Sequence, residues 1–312
     1  MPSASVLERF IAAVESNRHA EAIEEFYAAD ASMQENGLPP RRGRDALVAN
    51  ERKVLARMKS VRSKCVRPVF VNGELVVVRW VFEFETLEGA SMRMEELAYQ
   101  RWEGDRIAEE RFFYDPRQLV PALFERGGWR ARQMTEDDIP RLQAFFQANP
   151  EYHVSVNGVP PGPNEAREEW DSLPPKEIRY GKRWMIDVTA ADGSMDAMAN
   201  VVSDMLAQDV WHIGLFIVAT RLHGKGAGAG IYEALEGWMR QHGAQWIRLG
   251  VVAGNARAER FWEKMGYVEV RKRLAVQMGA KVNDLRVLVK PVARGTITDY
   301  LAVVARDRPG TP

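Results

Sequence analysis

Four glycines at alternate positions, Gly224, Gly226, Gly228 and Gly230, separate an apolar, partly β-branched run (Trp211–Val218) from a helical pattern. That pattern carries Ile231, Leu235, Trp238 and Met239 on one side and closes at Gly243, a plausible C-cap. Strand, glycine loop and helix in this order aim unpaired backbone N–H groups at one point beside a helix N-terminus. The helix dipole favours an anion there, and glycine lets a phosphate approach the backbone. The stretch therefore reads as a pyrophosphate site.

Two nucleotide folds use such loops, and both fail here. Gly224-Lys-Gly226-Ala-Gly-Ala229 fits the loose dinucleotide pattern, but that fold needs a carboxylate about twenty residues on to hold a ribose. The sequence offers Leu249-Gly-Val-Val-Ala-Gly at that point. A Walker loop needs Gly-Lys-Ser/Thr, and Gly226 follows Lys225. A glycine turn with only a structural role stays open.

At 312 residues the chain is long enough for two domains, and 46% hydrophobic with 28% charged residues suits a globular protein. Formal net charge is zero. A cut near residue 118 leaves 18 basic and 20 acidic residues before it and 25 and 23 after, so neither half is built for nucleic acid. Cys65 is the single cysteine, in a strand-like run, and reads as a buried structural thiol. The five histidines lack metal-ligand spacing, so no metal is expected. Charges interrupt the N-terminal amphipathic pattern too early for a signal peptide, and no run approaches the ~20 apolar residues of a membrane span. The expected compartment is the cytoplasm.

Residues 1–118 read as an α+β cone. Helical patterns over 5–17, 19–28 and roughly Arg44 to Lys59 give way to strands at Val66–Asn72, Glu74–Glu85, Ala90–Glu103 and Arg106–Tyr114. Turns at Asn72-Gly73, Glu88-Gly89 and Gly104-Asp105 suit hairpins of one antiparallel sheet. Alternation puts Glu110, Phe112 and Tyr114 on one face, Met94, Glu96, Ala98 and Gln100 on one face, and Trp80, Phe82 and Phe84 on another. Candidate pocket residues are thus Trp80, Glu96, Glu110, Phe112 and Tyr114. The glutamates either face an apolar interior, where their pKa would rise, or turn outward to pair with Arg93, Arg101 or Arg111. The run EELAYQRWEGDRIAEERFFYDP, with the opening FIAAVESNRHAEAIEEFYAADASM, resembles SnoaL-like domains of the nuclear transport factor two-like superfamily. The resemblance implies a curved sheet wrapped around a helix to leave a deep small-molecule pocket.

PRQLVPALFERGGWRARQM, with two prolines and Gly127-Gly128, reads as a short helix and a linker, the linker placed at residues 119–129. A mixed α/β domain over 130–292 follows, and residues 293–312 read as a weak helix (Ile297 to Ala305) and a frayed tail. Thr135 is a good N-cap with Asp138 three residues on. The element order β-α-α-β-β-β-α-β-α-β-β, the loop His223-Gly-Lys-Gly226-Ala-Gly228 and the segment LGVVAGNARAERFWEKMGY are similar to GNAT-type N-acetyltransferases. That family's loop usually opens with Gln or Arg where His223 stands. Its later signature is matched by Asn255, Ala258, Phe261, Trp262, Gly266 and Tyr267.

The resemblance implies acetyl-coenzyme A as co-substrate and a small-molecule or peptide amine as acceptor, with a possible homodimer. It also implies a splay between Trp211–Val218 and Trp246–Val252. Contacts to the coenzyme would come from Leu215, Phe216, Ile217, Val218, His223, Gly224, Lys225, Gly226, Ala227, Gly228, Asn255 and Phe261. Members often place a glutamate base on the central strand; here His212 is the only titratable side chain in it and becomes the candidate base, with Glu151, Tyr152, Glu169 and Asp187 behind it. Trp262 stands where many members carry a tyrosine acid, which leaves Tyr232, Tyr267 or solvent. The expected activity is N-acetyl transfer beside a domain that binds or presents a small molecule. Alternatives are a non-catalytic acyl-coenzyme A-binding module, or isomerase or hydratase activity in the cone.

Overall fold

A computed structural model describes residues 1–87 and 91–310, and the chain divides into two compact units, Met1–Ala122 and Leu123–Pro312. The turn expected at Glu88-Gly89 lies outside the described residues.

In the first unit, Ser3 caps α1 (Ala4–Glu15) by accepting from the Val6 amide, and Leu7, Phe10, Ile11 and Val14 recur at helical spacing on its buried face. α2 (His19–Phe26), β1 (Tyr27–Glu35), β2 (Arg41–Arg42) and α3 (Arg44–Leu55) follow. Then come the long strands β3 (Met58–Asn72), β4 (Leu75–Thr86), β5 (Ser91–Glu103) and β6 (Arg106–Tyr114). α3 stops at Leu55, four residues short of the predicted Lys59, because Met58 to Ser63 pair with Phe82 to Thr86 as strand. Sheet order is β2-β1-β6-β5-β4-β3, antiparallel except where β1 runs parallel to β6. Phe10 sits at the centre of the core, its ring edge-on to Phe26, Trp80 and Trp102. Cys65 is buried, and burial raises its pKa.

The second unit is built on an eight-stranded sheet, β13-β14-β12-β11-β10-β9-β8-β7. Its elements are β7 (Ala122–Arg126), β8 (Trp129–Gln133), α4 (Ile139–Ala148), α5 (Glu151–Asn157), α6 (Glu165–Asp171), β9 (Arg183–Ala190) and β10 (Met195–Val202). After them come β11 (Val210–Val218), α7 (Ala227–Gln241), β12 (Trp246–Val252), α8 (Ala256–Lys264), β13 (Val268–Met278), β14 (Lys281–Pro291) and α9 (Ile297–Val303). Thr135 and Asp138 form the expected capping box ahead of α4. Stacked Trp184 and Trp211, with Trp238 edge-on to both, anchor the core beneath α7.

Two expectations are corrected. The stretch read as a linker folds as the β7–β8 hairpin, and Gly127-Gly128 is its turn, with φ of +61° and +84°. The helix read at Ile297 to Ala305 is present as α9, its Tyr300 and Val304 packed against Val210, Trp246, Val287 and Val289, but the tail read as frayed starts with buried Asp307, which receives the guanidinium of Arg248 at 2.7 Å.

Candidate functional site

β11 and β12 pair in parallel from Val210 opposite Trp246 to Ile213 opposite Leu249, and there the pairing stops. Both strands continue, so they separate. The cause lies on the other edge of β11. Asn200 of β10 faces Leu215 while Val201 faces Ile213, which leaves Gly214 as a bulge. A bulge bends its strand and adds twist. Past it, the edge of residues 215–218 is unpaired on the β12 side and borders a cleft of about 560 Å³.

The glycine loop closes one end of that cleft. Gly224 and Gly226 hold φ of +75° and +81°, which few L-residues tolerate, and Gly226 is the N-cap of α7. Among the described residues, the amides of Gly224, Gly226, Ala227 and Gly228 donate to no acceptor. A Cβ on Gly228 would come within 3.6 Å of Phe261 and 3.7 Å of Val218, so the strand, the loop and α8 converge there. Four unsatisfied N–H groups gather at the start of a 15-residue helix, an arrangement whose dipole and donors suit an anion.

Phe216, Ile217, Val218, His223, Gly224, Gly226, Gly228, Asn255 and Phe261 line this cleft. Leu215 lines a neighbouring one, while Lys225 and Ala227 line neither. His223 turns inward and bonds the Val218 carbonyl at 2.8 Å, securing the loop to the end of β11. Asn255 caps α8 by accepting from the Ala258 amide and donates to Ser155. Arg257 and Lys264 also line the cleft, cations that sequence reading missed. Their signal was present: Arg257, Phe261 and Lys264 fall at i, i+4 and i+7 on one helical face.

The neighbouring cleft, about 340 Å³, lies between the diverging strands. Tyr152, Phe216, Asn255, Ala258 and Trp262 line both spaces, so the two meet at that cluster. His212 lines the second cleft but is ill suited to act as the base. Burial first, and then the adjacent Arg248 charge, push its pKa down to about 3. Arg248 Nη1 lies 3.4 Å from His212 Nδ1. An imidazole this weakly basic takes no proton from an ammonium group.

The other candidates separate clearly. Asp187 is fully buried between Arg132 and Arg141, and Glu169 accepts from Asn200 at 2.6 Å. Glu151 accepts from Thr220. Tyr232 and Tyr267 are buried and bonded to each other at 2.9 Å, and neither lines a cleft. Tyr152 alone among them borders both clefts, and its hydroxyl has no partner among the described residues.

In the first unit, Trp80, Glu96, Glu110, Phe112 and Tyr114 all line one cavity of about 420 Å³. The glutamates face inward. Glu110 accepts from the Tyr27 hydroxyl and from Gln100 at 2.6 Å. Sequence reading missed Glu35, Glu51 and His19, which share the cavity wall.

Fold and site define a two-part protein: an α+β cone around an acidic, aromatic cavity, and a mixed-sheet domain with a splayed strand pair and a glycine loop of unsatisfied amides. Residues 7–110 match the SnoaL-like domain, and residues 143–267 match the acetyltransferase (GNAT) family. No curated protein matches the chain. It is similar in structure to the ribosomal-protein-S18-alanine N-acetyltransferase from Escherichia coli, with 16% identity over 54% of this chain and 96% of that one, TM-score 0.40. An acetyltransferase from Thermus thermophilus shares 16% identity over 53% and 97%, TM-score 0.42. An NTF2-like protein of unknown function from Burkholderia pseudomallei shares 16% identity over 37% and 92%, TM-score 0.34. No helix among the described residues is long and apolar enough to cross a membrane, and no cluster of three metal-ligating side chains is found there.

Proposed function

We propose that the second domain transfers an acetyl group from acetyl-coenzyme A to an amine. One observation carries the reading: the unpaired edge of residues 215–218 runs beside a loop of unsatisfied amides at a helix N-terminus. The donors fit a pyrophosphate, Arg257 and Lys264 add positive charge, and the free strand edge fits an extended amide-bearing arm.

Bound acetyl-coenzyme A supplies an activated thioester. A backbone N–H within Leu215–Val218 donates to the carbonyl oxygen as negative charge develops there, an interaction worth roughly 3 kcal/mol. The ammonium first loses one proton to solvent, its nitrogen bonds to the acyl carbon, and the carbon–sulfur bond breaks. Tyr152 passes its proton to the departing sulfur, and the second proton of the nitrogen returns to Tyr152 through solvent. Burial first, then Glu169 and Glu165, raise the Tyr152 pKa, so it is protonated before the step and is restored after it. Trp262 has no acidic proton to offer.

The second cleft favours an acceptor that also carries an anionic group. Arg248, Arg273 and Arg306 line it, and no carboxylate does. Arg248 is neutralised by Asp307, whereas Arg273 and Arg306 form no side-chain ion pair among the described residues.

Incubating the protein with acetyl-coenzyme A and a panel of amines, neutral and carboxylate-bearing, should release free thiol. Absence of coenzyme binding by calorimetry overturns the proposal. Tight binding without thiol release from any amine would instead identify an acyl-coenzyme A-binding module, the reading that Trp262 favours.

A further inference from the structure

The cone cavity holds more carboxyl groups than anything around it balances. Glu35, Glu51, Glu96 and Glu110 line it, and no lysine or arginine does. Strand alternation is the reason. On β4 and β5 the arginines point outward and find partners there: Arg79 meets Glu95, and Arg101 meets Glu103 and Glu109. The inward positions are left acidic or aromatic.

Hydrogen bonds occupy two of the four carboxyl groups, and a histidine stands beside a third. Glu110 is held by Tyr27 and Gln100, and Glu35 accepts from Tyr114 at 2.6 Å. Glu51 lies 3.6 Å from His19, whose other nitrogen meets Ser63 at 2.9 Å. Glu96 is different. It is 6% exposed, lines the cavity, and has no hydrogen-bond partner among the described residues. Trp80 and Tyr114 are its cross-strand neighbours, and Phe82, Phe84 and Phe112 complete an aromatic wall.

We propose that this cavity binds an apolar organic cation, a protonated or quaternary amine, with its charge beside Glu96 and its apolar part against the aromatic wall. An unpaired polar group costs free energy when buried, and a cation supplies the missing partner. Aromatic faces attract a desolvated cation further. A neutral ligand would leave the carboxyls protonated, as in the empty cavity, and an anion would meet no lysine or arginine there. The volume, about 420 Å³, suits a small organic molecule. The proposal stands on the first domain alone and is independent of the transferase reading.

Protonation describes the empty cavity and supplies a second readout. Burial, then Glu110, Glu35 and Glu51, raise the Glu96 pKa to about 9. Burial raises Glu110 to about 7 against the opposing pull of Tyr27 and Gln100. Glu51 is raised by burial and Glu35, and His19 is lowered by burial. Tyr27 and Tyr114 are both raised, burial leading in each, so they stay neutral. At pH 7 a bound cation takes the place of protons, which are released.

The test is calorimetry on the full-length protein at pH 7 with benzyltrimethylammonium, in two buffers of different ionisation enthalpy, with its carbon isostere neopentylbenzene measured by competition. The cation should bind at least about tenfold more tightly than the isostere, about 1.4 kcal/mol, with net proton release. Glu96→Gln should remove that preference and leave isostere binding unchanged. Equal affinity for the two ligands, no binding of the cation, or binding without proton release overturns the proposal. Should the variant not fold, the preference and the proton release of the unaltered protein decide.

Discussion

Tyr152 is the residue on which the proposed transfer turns, because it touches both clefts while its hydroxyl is unengaged. Tyr152→Phe removes a proton donor and no native hydrogen bond, so stability and coenzyme affinity should hold while kcat falls about 100-fold, the lower range for a general acid. An unchanged kcat assigns the sulfur's proton to solvent. Gly226 serves by conformation rather than packing, since a Cβ there meets nothing within 4 Å while φ is +81°. Gly226→Asp places a carboxylate beside the phosphate donors and should weaken coenzyme A about 100-fold, close to 3 kcal/mol. Gly226→Asn, which tolerates positive φ and adds no charge, should lose much less; calorimetry on the pair separates charge from backbone. Glu96 gives a pH signature. Its pKa rises from the ordinary 4.5 to about 9, so in that window the folded state keeps a proton that the unfolded state gives up. Stability from this group therefore falls as pH rises, by an amount on the order of a few kcal/mol. Glu96→Gln cannot ionise. Its urea midpoint should fall less between pH 6 and pH 9 than that of the unaltered protein, and parallel falls would refute the assignment.

At the scale of elements, β11, α7 and α8 were legible because each carries a local signal: an apolar run, a glycine loop, and an Asn255 cap followed by a helical face. The inward turn of Glu96 was only half legible. Alternation groups Glu96 with Met94 and Ala98, but the facing of that set is fixed by pairing with Trp80 and Tyr114 on strands far along the chain. The β7–β8 hairpin was misread because proline and glycine signal a turn without saying what it joins; α9 was read as a weak helix, but what anchors it was not legible, since a short helix draws its stability from packing. α9 shows this directly. Arg248 and Asp307, 7% and 0% exposed, form a buried pair that the Tyr300 hydroxyl completes from α9. Burial opposes ionisation of Asp307, but the Arg248 hydrogen bonds prevail and its pKa lies below the ordinary value. Asp307→Asn strands the Arg248 charge and should cost ~3–5 kcal/mol in urea unfolding, with α9 amides losing protection from hydrogen exchange. A loss under about 0.5 kcal/mol, the range of an ordinary surface change, would show that the segment is not anchored by this pair.

For the whole molecule, 43 basic and 43 acidic side chains sum to zero, yet the sites are anything but neutral. The cone is acidic within, and the second cleft of the mixed-sheet domain is basic. Overall charge thus says little about what either site selects, because local fields at desolvated sites outweigh a distant, screened sum. Arg273 tests this most directly. Burial first, then Arg306, Arg248 and Arg271, lower its pKa, the mark of a cation among cations. Its charge is available to a ligand, and a charge-assisted hydrogen bond to a carboxylate contributes about 1.5–3 kcal/mol. Arg273→Ala should therefore raise KM for a carboxylate-bearing amine about tenfold or more, while leaving KM for the corresponding amide unchanged. Raising the ionic strength should move the same KM in the same direction and leave the amide's unaffected. If both acceptors lose equally, Arg273 shapes the cleft and does not read charge. If neither changes, the anionic group of the acceptor is recognised elsewhere.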